Sequence, residues 1–185
     1  MVCAVDWRIS DPCAKSGLRK EIAASRVRLY RVALAWCGDR MLADDLVQET
    51  LSLGLQKAHQ LRERDRLNAW LYSILSNCWK QHLRSYRPHE DLDDDRPSGD
   101  LEPDSAVGQM EVVARVRCAV SGLPLEQRKV LALVDLEGFS YSDVAGILEI
   151  PIGTVMSRLY RARKSLINLL EKDSHESQGH ATPIR

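Results

Sequence analysis

FSYSDVAGILEIPIGTVMSRLYRARKSLINLL, Phe139 to Leu170, decides how this chain is read. Two short amphipathic helical patterns meet at a turn holding Pro151 and Gly153. In the first, Val144, Ile147 and Leu148 form the apolar side, and Ser140 with Asp143 three residues on resembles a capping box with Asp for the usual Glu or Gln. The second starts at Gly153 or Thr154, and Val155, Leu159, Ala162 and Leu166 keep one of its faces apolar. Ser157, Tyr160, Arg161 and Lys164 point away from that face, flanked by Met156, Arg158 and Arg163. This is the pattern of a helix-turn-helix whose second helix lies in a DNA groove. Arg can fork onto guanine and Ser or Lys can reach phosphate, with about 1–3 kcal/mol of discrimination per good bidentate base contact. A basic surface helix with no DNA role is the competing reading.

Upstream of this unit the pattern stays helical. Leu125 to Glu137 follows Pro124, which sits where a first-turn proline is tolerated, and stops at Gly138. Val107 to Val120 precedes it, closed by Ser121 and Gly122. Before that, RPHEDLDDDRPSGDLEPDS (Arg87 to Ser105) is rich in proline and acid and cannot bury enough apolar surface to order itself. It reads as a linker, either a solvated spacer or a nucleic-acid mimic inside a basic channel of a partner.

The first half holds three further helical patterns. Leu67, Trp70, Leu71, Ile74, Leu75 and Cys78 give a clean stripe at helical spacing. Across that helix Ser73, Asn77, Lys80 and Arg84 line up, with Trp79 at the border. The face is short of acids and is flanked by Arg62, Arg64 and Arg66 in the Gln60 to Arg66 loop, which suits backbone phosphates. Trp79 beside these cations suits stacking on an unpaired base, at about 1–3 kcal/mol where it occurs, or packing at the helix edge. Met41 to His59 turns Leu42, Leu46, Val47, Leu51 and Leu55 inward and carries Asp44, Asp45, Gln48 and Glu49 elsewhere. Asp44 and Asp45 either complement the helix macrodipole, worth a few tenths of a kcal/mol, or form a docking surface for a protein partner. A helix from Leu18 to near Gly38 comes first.

The formal net charge of zero hides a division along the chain. Residues 1–87 hold 15 Lys/Arg and 9 Asp/Glu, residues 88–112 hold 1 and 9, and residues 113–185 hold 10 and 8, giving +6, −8 and +2. Two basic blocks flank an acidic one, a distribution that steers nucleic acid to the ends. The fold expected is all-α: two small helical domains, residues 18–87 and 107–170, joined by a flexible acidic linker at 88–106, with a flexible arm at 1–17 and a disordered tail at 171–185. No run of about 18 apolar residues and no signal-peptide pattern is present, so direct membrane insertion is not expected.

Cys3, Cys13, Cys37, Cys78 and Cys118 are odd in number, widely spaced and without a ligand motif. They leave a redox or metal-sensor reading open on Cys3 and Cys13. His59, His82, His89, His175 and His180 are scattered, and no phosphate-cradling glycine loop, HExxH or nucleophile elbow occurs. Neither an enzyme nor a cofactor is expected.

Three stretches, in this order, resemble a bacterial RNA polymerase sigma factor of the extracytoplasmic-function (ECF) group, which keeps regions 2 and 4 joined by a linker. ADDLVQET (Ala43 to Thr50) resembles the part of region 2 that docks on the clamp helices of the polymerase largest subunit. LNAWLYSILSNCWKQHLR (Leu67 to Arg84) resembles the promoter-melting and minus-10 reading helix. GLPLEQRKVLAL followed by FSYSDVAGILEIPIGTVMSRLYRAR resembles region 4.

The resemblance implies a factor that binds core RNA polymerase, including the flap of the second-largest subunit, and reads minus-35 and minus-10 elements of promoter DNA. It makes Asp44, Asp45, Leu46, Gln48 and Glu49 polymerase contacts, and Arg62, Arg64, Arg66, Asn77, Trp79, Lys80 and Arg84 minus-10 contacts. The minus-35 contacts would be Thr154, Met156, Ser157, Arg158, Tyr160, Arg161 and Lys164. It also implies that the Gln60 to Arg66 loop captures a flipped base and that the acidic linker runs near the template strand and RNA exit path. An anti-sigma factor is the implied partner of the free chain, in the cytoplasm or at the inner membrane where a membrane-bound one holds it. The chain departs from the family at Gln81, Leu55, Asp143 and Met156, where Asp, an aromatic, Glu and a basic residue are common. A stand-alone helix-turn-helix regulator is the rival reading.

Overall fold

The structure, a computed structural model, describes residues 12–61, 63–85 and 109–178. These form eight α-helices with short 3₁₀ turns, and no strand occurs among the described residues. The first domain comprises α1 (Pro12–Ala24), α2 (Arg26–Cys37), α3 (Arg40–Gln56) and α4 (Leu67–Ser85). The second comprises α5 (Gln109–Ser121), α6 (Leu125–Leu131), α7 (Tyr141–Leu148) and α8 (Ile152–Gln178), with a wide π turn at Ala132–Leu136 after α6.

The helix boundaries have local causes. Asp39 caps α3 by accepting the Leu42 N–H at 3.0 Å, and Gly38 ends α2 with φ 72°, a left-handed conformation that costs glycine little. Ser140 caps α7: its Oγ accepts the Asp143 N–H at 3.2 Å and donates to Asp143 Oδ2 at 2.5 Å. Of the expected capping box the N-cap half is formed, and the Asp143 carboxylate accepts from the cap hydroxyl. The helix-turn-helix turn runs over Glu149 to Pro151. Glu149 takes φ 59° and its N–H closes on the Ala145 carbonyl, so Gly153 lies inside the first turn of α8 rather than in the turn itself.

The stretch from Leu18 to Gly38, expected as one helix, is two. Ser25 is buried, its Oγ donates to the Glu21 carbonyl at 3.0 Å, and the chain bends there so that α1 and α2 each lay an apolar face on α3. Helix α1 begins at Pro12, inside the expected arm, because proline suits a first helical turn. Residues 1–11 lie outside the described residues, as does the expected linker 88–106. At the other end α8 continues to Gln178, through much of the expected tail, since Glu171 to Gln178 holds no proline or glycine to stop it.

The core is one continuous cluster. Trp36, Val32 and Leu29 of α2, Leu46 and Val47 of α3, and Leu71, Tyr72 and Leu75 of α4 join Val130 and Leu133, Val144 of α7 and Val155 and Leu159 of α8. Helices α3 and α4 approach closely at Gly54, where a Cβ would stand 2.9 Å from Leu71 Cδ2. Between the domains, α4 packs on α7 and α2 packs on α5, α6 and the π turn.

Candidate nucleic-acid interface

On α3, Asp44, Asp45, Gln48 and Glu49 are all exposed. Asp44 meets Arg26 at 3.3 Å in an exposed pair of little energetic weight. Leu46, expected among the contact residues, is 2% exposed and belongs to the core. Its position one residue past Asp45 turns it about 100° away, beneath the acidic face. Thr50, one turn on, is fully buried and donates to the Leu46 carbonyl at 2.6 Å, tying that inner face together.

On α4 and the loop before it, Asn77 and Arg84 are exposed and Lys80 is half-buried. Arg64 and Arg66 are exposed and lie near carboxylates, Glu21 at 3.6 Å and Glu63 at 2.9 Å. Arg62 lies outside the described residues. Trp79 departs from the base-stacking expectation: it is 6% exposed, with its ring stacked on His82 at 5.8 Å between centroids. It sits two turns beyond Tyr72 on the side of α4 that turns inward, so its indole is packed rather than offered to a base.

On α8, Tyr160 is 69% and Met156 54% exposed, and Arg161 and Lys164 are exposed. Thr154 and Ser157 are half-buried, Ser157 Oγ donating to the Thr154 carbonyl. Arg158 is held differently: its Nη1 donates to Glu126 Oε2 at 2.5 Å, and Lys129 Nζ meets Oε1 of the same carboxylate at 2.5 Å. Burial pushes the Glu126 carboxyl up, but Lys129 and Arg158 outweigh it and hold the group below its usual range. Arg163 forks onto Asp135 at 2.6 and 3.2 Å. Arg161 and Lys164 of α8, exposed and with no ion pair among the described residues, are positioned to meet phosphate.

Several structural residues carried no signal in the sequence pattern. Arg128 is 9% exposed, donating to the carbonyls of Leu123 and, across the domains, Trp36 at 3.2 Å. Glu126, Glu137 and Glu149 each pair with an Arg or Lys far away in sequence. A rule that pairs charges only at helical spacing cannot find such partners.

Cys37 is half-buried, Cys78 buried and Cys118 exposed, none of them in a disulfide among the described residues, and burial pushes the first two up in pKa. Among the described residues no three His, Cys, Asp or Glu side chains come together as a metal site. None of the described helices is long and apolar enough to cross a membrane.

Comparison with known proteins gives a consistent picture. The model of Sigma-70 region 2 matches residues 22–88 and that of Sigma-70, region 4 matches residues 114–166. The ECF RNA polymerase sigma factor EcfG of Rhodopseudomonas palustris is 36% identical over 169 residues, covering 91% of this chain and 93% of that protein. The RNA polymerase sigma-H factor of Pseudomonas aeruginosa is 32% identical over 145 residues, 72% of this chain and 75% of that one. Among solved structures, the sigma factor RpoE of Bartonella quintana, in complex with the anti-sigma factor NepR, matches with a TM-score of 0.66 and 26% identity. That match covers 84% of this chain and 98% of that one.

Proposed function

The chain belongs to the sigma-70 family of RNA polymerase sigma factors, in its ECF group, and from that premise we propose how its surfaces divide the work. As a sigma factor it is a non-catalytic initiation factor that binds core RNA polymerase and promoter DNA and directs the polymerase to promoters, not a stand-alone regulator.

In this reading the exposed polar side chains of α3, Asp45, Gln48 and Glu49 foremost, dock on the clamp helices of the largest subunit, and the second domain meets the flap of the second-largest. The loop with Arg62, Arg64 and Arg66 and the α4 face with Asn77, Lys80 and Arg84 hold the opened minus-10 strand. Helix α8 enters the minus-35 major groove, with Tyr160, Arg161 and Lys164 outermost. Arg158, pinned to Glu126 of α6, is already held in place before DNA arrives, so less side-chain freedom is lost on binding. The acidic segment 88–106 threads the polymerase. An anti-sigma factor holds the free protein in the cytoplasm or at the inner membrane.

The observation that carries this reading is the segregation of surfaces. An acidic face on α3 and a basic face on α4 lie on adjoining helices of one domain, and a second basic helix is exposed on the other. Few phosphates can be neutralised by Arg161 and Lys164 alone, so DNA affinity must be borrowed from a polymerase held by the first domain.

Run-off transcription by core polymerase from a pool of genomic fragments tests the division. Lys80→Ala should impair opening while leaving fragment choice at the minus-35 element intact, and Arg161→Ala should alter that choice. Identical transcript profiles for wild type and both variants would remove the two DNA faces.

A further inference from the structure

The outward side of α8 is less basic than its sequence suggests. Arg158 Nη1 donates to Glu126 Oε2 and Arg163 forks onto Asp135, so both guanidinium groups are engaged by carboxylates of their own domain. Beside Arg161 and Lys164 the helix presents apolar surface instead. Ile152, Met156 and Tyr160 follow one another at four-residue spacing and are 50%, 54% and 69% exposed. Residues four apart are neighbours on a helix surface, so these three form a stripe. Val155, Leu159 and Ala162 already fill the core side of α8, which leaves the stripe outside the packing of the domain.

Single exposed apolar side chains are ordinary, whereas a contiguous strip bordered by charge marks a binding surface. The neighbours of this strip indicate its occupant. Arg161 and Lys164 are exposed on the same helix, and a pair of cations beside an apolar strip matches a major groove, where phosphates line the edges and base atoms the floor. On that floor one base feature is apolar, the C5-methyl group of thymine. Met156 carries no hydrogen-bond donor and cannot fork onto guanine as an arginine does.

From this geometry we infer that α8 reads thymine methyl groups, Met156 covering one and the ring of Tyr160 a second, while Arg161 and Lys164 hold phosphates beside them. The inference deepens the minus-35 assignment of the preceding section and rests on it. Met156 and Tyr160 are separated by about 6 Å along the helix axis, and stacked base pairs by about 3.4 Å. The two methyls therefore lie about two base steps apart, on either strand, and the element this chain prefers carries thymines at that separation.

The test uses the full chain in complex with core polymerase. The preferred minus-35 element is selected from randomised duplex DNA, and each thymine in it is then replaced singly by deoxyuridine, which lacks only the methyl. Competition binding reads the penalty at each position. At one thymine the wild type should lose affinity roughly fourfold, as expected for about one buried methyl left without its contact, and Met156→Ala should bind the two DNAs equally. A second thymine, about two steps away, should respond in the same way to Tyr160→Ala. Met156→Leu keeps an apolar side chain of similar volume and should preserve the preference. Both side chains are exposed, so thermal midpoints close to wild type show that the variants are folded. No penalty at any thymine, or the same penalties in wild type, Met156→Ala and Tyr160→Ala, would overturn the inference. Arg161→Ala and Lys164→Ala separate it from its premise. If both weaken duplex binding while deoxyuridine costs nothing, the minus-35 face stands and methyl reading falls; if neither weakens it, the face and the inference fall together.

Discussion

Replacing Gly54 and Gly146, two glycines in helix interiors, should affect stability differently. Gly146 lies on the exposed side of α7, and a Cβ there meets nothing within 4 Å, so Gly146→Ala gains only the helix propensity, about 0.5–1 kcal/mol. Gly54 is buried where α3 crosses α4. A Cβ there would stand 2.9 Å from Leu71 Cδ2, 3.7 Å from Ile22 Cγ2 and 4.0 Å from Trp70 Cζ3. The Leu71 methyl is the end of a side chain that can rotate, but Leu71 is 1% and Ile22 0% exposed, so little space is open to receive it. For Gly54→Ala the propensity gain nearly offsets an overpacking cost at the low end of about 1–3 kcal/mol, leaving a change near zero. Gly54→Val adds two more carbons and loses part of the propensity gain to its β-branch, so it should destabilise by about 1–2 kcal/mol. Urea titration followed by far-ultraviolet circular dichroism gives the differences, with unchanged slope as the check that the midpoint shift is a stability change. Thermal midpoints should move by about 2–4 °C per kcal/mol in a chain of this size. Gly54→Val at or above wild-type stability would refute the close α3–α4 packing, and with it the spacing between the acidic and basic faces.

Reversing Asp45 and Glu49 to Lys should weaken association with core polymerase at least tenfold, read by native-gel titration, while changing folding stability by no more than about 0.5 kcal/mol because both are exposed. Arg161→Ala and Lys164→Ala should each weaken binding of the polymerase complex to duplex minus-35 DNA and reduce the slope of log affinity against log salt by about one, as expected for one lost phosphate contact. Because Lys129 and Arg158 hold the Glu126 carboxyl below its usual range, its contribution to stability is fully present above the unfolded value near about 4.3 and is lost as pH falls through the folded one. Glu126→Gln should therefore flatten that part of the acid-unfolding curve, and a curve identical to wild type would place those cations elsewhere.

The helices with a clean stripe were legible in the sequence. Leu71, Ile74, Leu75 and Cys78 of α4, and Val155, Leu159 and Ala162 of α8, are buried where their spacing puts them. Periodicity says which side of a helix is apolar but not which neighbour covers its borders. Trp79 sits at such a border and is packed, and Leu46, next to the exposed Asp45, is buried. The break at Ser25 left no trace because serine continues a helical pattern well enough and the bend is imposed by packing of α1 and α2 on α3. The π turn at Ala132–Leu136 is equally silent in composition. Ion pairs such as Arg28 with Glu137, 109 residues apart, follow only from the docking of whole domains. The departure at Asp143 is the opposite case, since its shorter side chain still reaches the Ser140 hydroxyl and the cap forms.

Mixing the protein with core RNA polymerase and following complex formation and transcript start sites tests the account most directly. A stable complex with one copy of the chain, starting transcripts at discrete promoters that core alone does not use, is the predicted result. Failure to associate with core, or association without any change in where transcription begins, would contradict it.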